Sequence, residues 1–137
     1  MSSIALIMWR KGIAESLLAE LKKELGLRVC YEPDYTRTVA EIRNHDAKVA
    51  LIEAAETGDW NVSRCLEICA SLRKETKQCK LILMCPDQDE EAVAQTVNAK
   101  HDGLIDDFVF YEASMDYLSS KLFAAAGIRG QGLGIRE

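Results

Sequence analysis

Apolar residues in this chain come in short unbroken runs, separated by longer stretches where they recur every third or fourth position. Residues 4–9 form the first run, short and continuous in the manner of a buried strand. In 12–25, Ile13, Leu17, Leu21 and Leu25 fall at fourfold spacing with Leu18 beside them, which predicts an amphipathic helix ending at Gly26. A second strand is predicted over 27–31, stopped by Pro33. A weaker helix with Val39 and Ile42 on its stripe follows over 35–44, then a third strand over 48–53. After a turn at Thr57, Gly58 and Asp59, a helix capped by Asp59 or Asn61 carries Cys65, Ile68, Cys69 and Leu72 on one face. The fourth strand is predicted over 80–85, ended by Pro86. The next helix, over 89–100, has Val93 and Val97 as its inward stripe. Gly103 separates it from a fifth strand over 104–111, and Ser114 caps a last helix with Met115, Leu118, Leu122 and Ala125 facing inward.

Five short apolar strands alternating with five helices predict an α/β fold, a parallel sheet covered on both faces. Right-handed crossovers and a chain of this length favour the flavodoxin-like doubly wound order 2-1-3-4-5. The domain is expected over 1–126. Residues 127–137 are glycine-rich without periodicity and read as a flexible tail or the start of a linker. In such sheets the functional edge lies at the carboxyl ends of the strands, here 8–11, 53–59, 85–87 and 111–113.

Composition narrows the function. At 137 residues, 48% hydrophobic and 28% charged, the chain has the balance of one globular domain rather than a disordered segment. No apolar run approaches the roughly 20 residues of a membrane span, and no basic segment precedes the first strand. A cytoplasmic domain that does not engage a membrane is expected. A net charge of −5 and a pI near 5.1, with no basic stripe, argue against nucleic-acid binding by this domain. The five cysteines, Cys30, Cys65, Cys69, Cys79 and Cys85, are odd in number and show no C-x-x-C spacing, so reduced and mostly buried thiols are expected. His45 and His101 are far apart in sequence, and four N/S ligands cannot be assembled from the spacing. No metal site and no cofactor are therefore predicted.

The element order, with Glu67 to Arg73 (EICASLR) in the third helix and Gly103 followed by Asp106, Asp107 and Phe108 before the fifth strand, resembles the receiver domain of bacterial two-component response regulators. The resemblance covers about residues 4–126. In that CheY-like family an acidic pair after the first strand binds magnesium and an aspartate ending the third strand accepts the phosphoryl group. A Ser or Thr ends the fourth strand, and a Lys-Pro pair ends the fifth. Carried over by position, the acidic pair falls on Met8 and Trp9, the phosphoacceptor on Glu53, the hydroxyl on Cys85, the Lys-Pro pair on Tyr111 and Glu112, and the switch aromatic on Phe108.

These departures imply a degenerate receiver, a pseudo-receiver. Phosphoryl transfer depends on charge neutralisation by metal and cation, and a methionine and an indole offer magnesium no oxygen. Glu53 is expected to act as a fixed negative charge with Arg10 as its partner. The resemblance implies a phosphorylation-independent, non-enzymatic signalling module in two-component or phosphorelay signal transduction, binding a protein partner. The alternatives are a small flavodoxin-like enzyme or phosphotransfer protein using Cys85 or Glu53, and a conventional phosphorylated receiver in a shifted register. The resemblance also implies an interaction face on the fourth helix, fifth strand and fifth helix. There an acidic strip (Glu91, Gln95, Asn98) beside Tyr117 and Lys121 would suit a weak, two-fold homodimer.

Overall fold

In the computed structural model, which describes residues 2–128, a five-stranded parallel sheet runs in the order β2-β1-β3-β4-β5. Its strands are β1 (Ser2–Ile7), β2 (Leu27–Glu32), β3 (Val49–Glu53), β4 (Lys80–Cys85) and β5 (Asp107–Phe110). The helices are α1 (Lys11–Leu21), α2 (Thr38–Asn44, entered through a 3-10 turn at Tyr35–Arg37), α3 (Val62–Glu75), α4 (Glu90–His101) and α5 (Met115–Ala125). The predicted fold class and strand order are those observed. Residues 129–137, most of the predicted tail, lie outside the described residues.

Alternation along the central strands divides the core into two layers. Ala5, Ile7, Ala50, Ile52, Leu81 and Leu83 point to one side, under α2, α3 and α4, where Ile42, Cys65, Cys69 and Leu72 meet them. Ile4, Leu6, Met8, Val49, Leu51, Ile82 and Met84 point to the other, under α1 and α5, against Leu17, Leu21, Leu118 and Leu122. Asn61 rather than Asp59 caps α3, accepting from the backbone N–H of Arg64 at 3.0 Å.

Four sequence expectations are corrected. The first strand ends at Ile7, two residues before the predicted end, because the N–H groups of Trp9 and Arg10 bond the Glu53 side chain instead of a neighbouring strand. The first helix ends at Leu21: its last turn tightens (Glu24 N–H to Leu21 C=O, 3.1 Å), Gly26 turns at φ +83°, and Leu25 is left 92% exposed. On α4 the buried stripe is Ala92, Thr96 and Ala99; Val93 packs against that layer only partly buried, and Val97 is 45% exposed. Small residues at i, i+4 and i+7 bring that helix close to the sheet and leave the valines on its flank. The fifth strand begins at Asp107, since Leu104 to Asp106 form a turn in which the Asp106 carboxylate accepts from Leu81 N–H (2.8 Å) and Arg73 Nη2 (2.7 Å).

Candidate functional site

At the carboxyl end of the sheet, strand pairing fixes the register. Ile7 stands level with Ile52, and Glu53 with Met84, so Met8 and Glu53 follow side by side at the strand ends. Glu53 is fully buried, and both carboxylate oxygens are engaged from the β1–α1 turn. Oε1 accepts from the backbone N–H of Trp9 (3.0 Å) and of Arg10 (3.2 Å), and Oε2 takes Arg10 Nε in a close ion pair. The Arg10 guanidinium is enclosed further by Met84 Sδ (3.4 Å from Nη2) and by the Tyr111 ring, whose centre lies 4.1 Å from Cζ.

Tyr111 closes the top of this pocket. Its hydroxyl donates to the carbonyl of Ala54, the residue after Glu53, and accepts from Trp9 Nε1 at 3.4 Å. Burial, above all, pushes the Tyr111 phenol up to about 12, so it remains a proton donor at neutral pH. From below, Tyr35 donates to the Glu53 carbonyl at 2.5 Å and stacks on Trp60 with ring centres 5.2 Å apart. Sequence reasoning missed Tyr35; a tyrosine in the entry turn of a weak helix carries no signal of where its hydroxyl goes.

The remaining predicted residues separate from this cluster. Met8 is fully buried in the α1/α5 layer, whereas Trp9, bonded to Glu53 and Tyr111 within the cluster, is half-exposed. Cys85 is buried, its thiol contacting the Pro86 carbonyl (3.2 Å) and receiving the Thr96 hydroxyl (3.3 Å), with neither contact reaching Glu53. Burial raises its pKa. Phe108 is partly buried, edge-on to Phe110 at 5.5 Å, with Lys100 Nζ 5.7 Å from its ring centre. Asp107 joins the two flanking helices, taking Lys100 of α4 at 3.2 Å and Lys121 of α5 at 2.5 Å. Lys121 also lies 5.4 Å from the Tyr117 ring centre.

The acidic strip expected beside Tyr117 and Lys121 does not stand there. Gln95 donates to Ser63 of α3 at 2.9 Å, and Glu91 lines a cleft with Asn61 and Ser63. Gln95 lies a turn above Asn98 on α4, so this flank turns toward α3, away from α5. Val97, one turn before Lys100, which bonds Asp107 of β5, lies on the opposite flank.

The residues at the strand ends do not fit magnesium. The carboxylate at the phosphoacceptor position has both oxygens committed to N–H donors and a guanidinium, and the acidic-pair positions offer a buried thioether and an indole. Among the described residues, the one cluster of metal-ligating types lies elsewhere. Cys30, Glu41 and His45 have ligand atoms within 4.8 Å of one another, a juxtaposition the sequence reading did not find.

No protein-family profile matches the sequence, and no curated protein matches it. Solved structures do. A CheY-like response regulator receiver domain protein from Methanospirillum hungatei JF-1 superposes with a TM-score of 0.74 at 18% identity, covering 93% of this chain and 94% of the other. An orphan response regulator of H. pylori gives 0.73 at 11% identity, covering 91% and 96%. An adenylate cyclase from Rhodopirellula baltica gives 0.77 at 15% identity, covering 92% and 87%. With five strands in the order 2-1-3-4-5 and near end-to-end superposition on these domains, the chain has the CheY-like fold of response-regulator receiver domains.

Proposed function

We propose that this domain is a signalling receiver module whose output does not depend on phosphorylation and is delivered by binding a protein partner. The observation that carries this reading is the Arg10–Glu53 ion pair. A phosphoacceptor pocket needs oxygen ligands for a divalent cation, a free carboxylate oxygen to attack and a cation to meet the incoming phosphoryl group. Here the cation comes from the β1–α1 turn, on the side where metal ligands would stand, and already neutralises the carboxylate. Tyr111 caps the guanidinium rather than supplying a second charge. Glu53 is thus held in one geometry.

Use of Cys85 as a nucleophile finds no support in its surroundings: the thiol is buried, its pKa is raised and no base contacts it. Glu53 as a nucleophile would have to break its contact with Arg10.

The deciding experiment is incubation with acetyl phosphate and magnesium, read by intact mass. The mass is expected to stay unchanged; a stoichiometric phosphoryl gain that disappears in Glu53→Gln overturns the reading.

For the partner surface we infer the groove between α4 and α5 across β5, lined by Lys100, Phe108, Phe110, Tyr117 and Lys121. Tyr117 is 53% exposed and Val97, on the flank of α4, is 45% exposed, so this side of the domain presents apolar area beside two lysines that share Asp107. A second copy of the chain is one occupant to test. Sedimentation at high protein concentration should show association that a Tyr117→Ser, Val97→Asn variant loses. A wild type that stays monomeric removes the homodimer and leaves a different protein as the partner.

A further inference from the structure

We infer that Cys30, Glu41 and His45 form a zinc-binding site that clamps the edge strand β2 to α2. Glu41 and His45 are four residues apart and share one face of α2, with His45 closing its last turn. Cys30 lies on β2 on the side of the sheet that α2 covers, with Ala5 and Ala50, and packs against that layer from the edge strand. The crossover from β2 to α2 therefore brings the three side chains together, with Sγ, a carboxylate oxygen and an imidazole nitrogen all within 4.8 Å.

The dimensions suit a tetrahedral ion. Zinc bonds of about 2.0–2.2 Å to N and O at tetrahedral angles set those two atoms roughly 3.4 Å apart. His45 Nε2 and Glu41 Oε1 stand at 3.3 Å. The other carboxylate oxygen is already held: Glu41 Oε2 accepts from Arg37 Nη2 at 2.9 Å, and the same guanidinium reaches Glu32 at 3.2 Å. Arg37 thus fixes the Glu41 carboxylate from outside and leaves Oε1 directed at the imidazole, the outer-shell support that ligating carboxylates require.

Chemistry selects the ion. One thiolate, one imidazole and one carboxylate make a mixed S/N/O set that suits zinc and is too soft for magnesium or calcium. The two negative ligands match a divalent charge, and binding releases the thiol proton to solvent. Three protein ligands leave a fourth position, and the His45 side chain, 40% exposed, gives a path to it from solvent. Cys30 is also the one cysteine of the five that is not buried, so it is the thiol an ion can reach.

The test titrates the reduced, metal-free chain with Co²⁺ and then displaces it with Zn²⁺. One equivalent should bind with a near-ultraviolet thiolate-to-cobalt charge-transfer band, and Zn²⁺ should bleach it. The band should vanish in Cys30→Ser. Zinc affinity in His45→Gln should fall by more than the roughly 10- to 100-fold expected on losing an outer-shell partner. Both substitutions are at incompletely buried positions, and circular dichroism checks their folding. Absence of the band in the wild type, its persistence in Cys30→Ser, or unchanged zinc affinity in His45→Gln overturns the site.

Discussion

The Arg10 guanidinium lies over the Tyr111 ring, its Cζ 4.1 Å from the ring centre, with the Glu53 carboxylate on its Nε. Glu53 is fully buried and Arg10 partly so, and a carboxylate removed from water persists as an ion only if its lost hydration, several kcal/mol, is offset. Here two backbone N–H groups satisfy one carboxylate oxygen, and an aromatic face takes the side of the guanidinium that has lost water. These contacts tie the β1–α1 turn to the ends of β3 and β5, three segments that are distant in sequence.

Arg10→Met should therefore destabilise the fold by about 3 kcal/mol, since it strands a buried carboxylate. Glu53→Gln should cost less, because the amide oxygen still accepts the two backbone N–H bonds. Adding Glu53→Gln to Arg10→Met should recover part of the loss. Urea denaturation of the four proteins in a double-mutant cycle measures the coupling, and a cycle that closes additively would show that the pair is not energetically linked.

At Tyr111 two substitutions separate two contributions. Tyr111→Phe keeps the ring over Arg10 and removes the bond to the Ala54 carbonyl, a loss of about 1 kcal/mol. Tyr111→Leu removes the ring as well and should cost about 0.5–2 kcal/mol more. Equal losses in the two variants, by the same denaturation measurement, would exclude a contribution from the stacked guanidinium.

The sheet was legible because the strands of a doubly covered sheet must be apolar on both faces. Runs such as Val49 to Ile52 therefore announce themselves, and Glu53 stands out as the first charge after one. Element ends were less legible. Nothing in the order Met8-Trp9-Arg10 says that the Glu53 carboxylate will take two backbone N–H groups and end β1 there. The α4 stripe was misread because Val97 is more hydrophobic than Ala92 or Ala99, yet close approach to the sheet favours the small side chains. The Cys30, Glu41 and His45 cluster depends on how α2 crosses β2, which pairwise spacing along a chain does not encode.

The thiols should sort by burial. Cys65, Cys69 and Cys79 are buried, and desolvation in the main pushes each up to about 12, so none should react with a thiol reagent in the native protein near pH 8. Cys30 should be modified first and the other four only on unfolding, which mass mapping of a timed labelling reaction would show. Cys65 donates to the Trp60 carbonyl at 3.5 Å, a contact a serine hydroxyl can inherit. Cys69→Ser should therefore be the costlier of the two replacements, within the roughly 1–3 kcal/mol range for a buried hydroxyl without a partner. Rapid labelling of Cys65 or Cys69 would contradict the buried face of α3.

Asp107 gives the pH dependence a definite sign. Burial alone would raise its pKa, but hydrogen bonds from Lys121, the Phe108 N–H and Lys100 outweigh that, and the carboxyl is held below the usual range. A carboxylate whose pKa is lower folded than unfolded stabilises the fold fully above its unfolded value of about 4, and that stability is lost as pH falls through the folded value. Asp107→Asn should thus cost about 1 kcal/mol at pH 7, where both lysine contacts lose their charge partner, and the deficit should shrink steadily below about pH 4. Urea midpoints of wild type and variant at pH 7 and pH 3 test this. A gap that stays constant over that range would assign the loss to packing at the start of β5, and would leave α4 and α5 without the charge link that holds the two sides of the proposed partner groove.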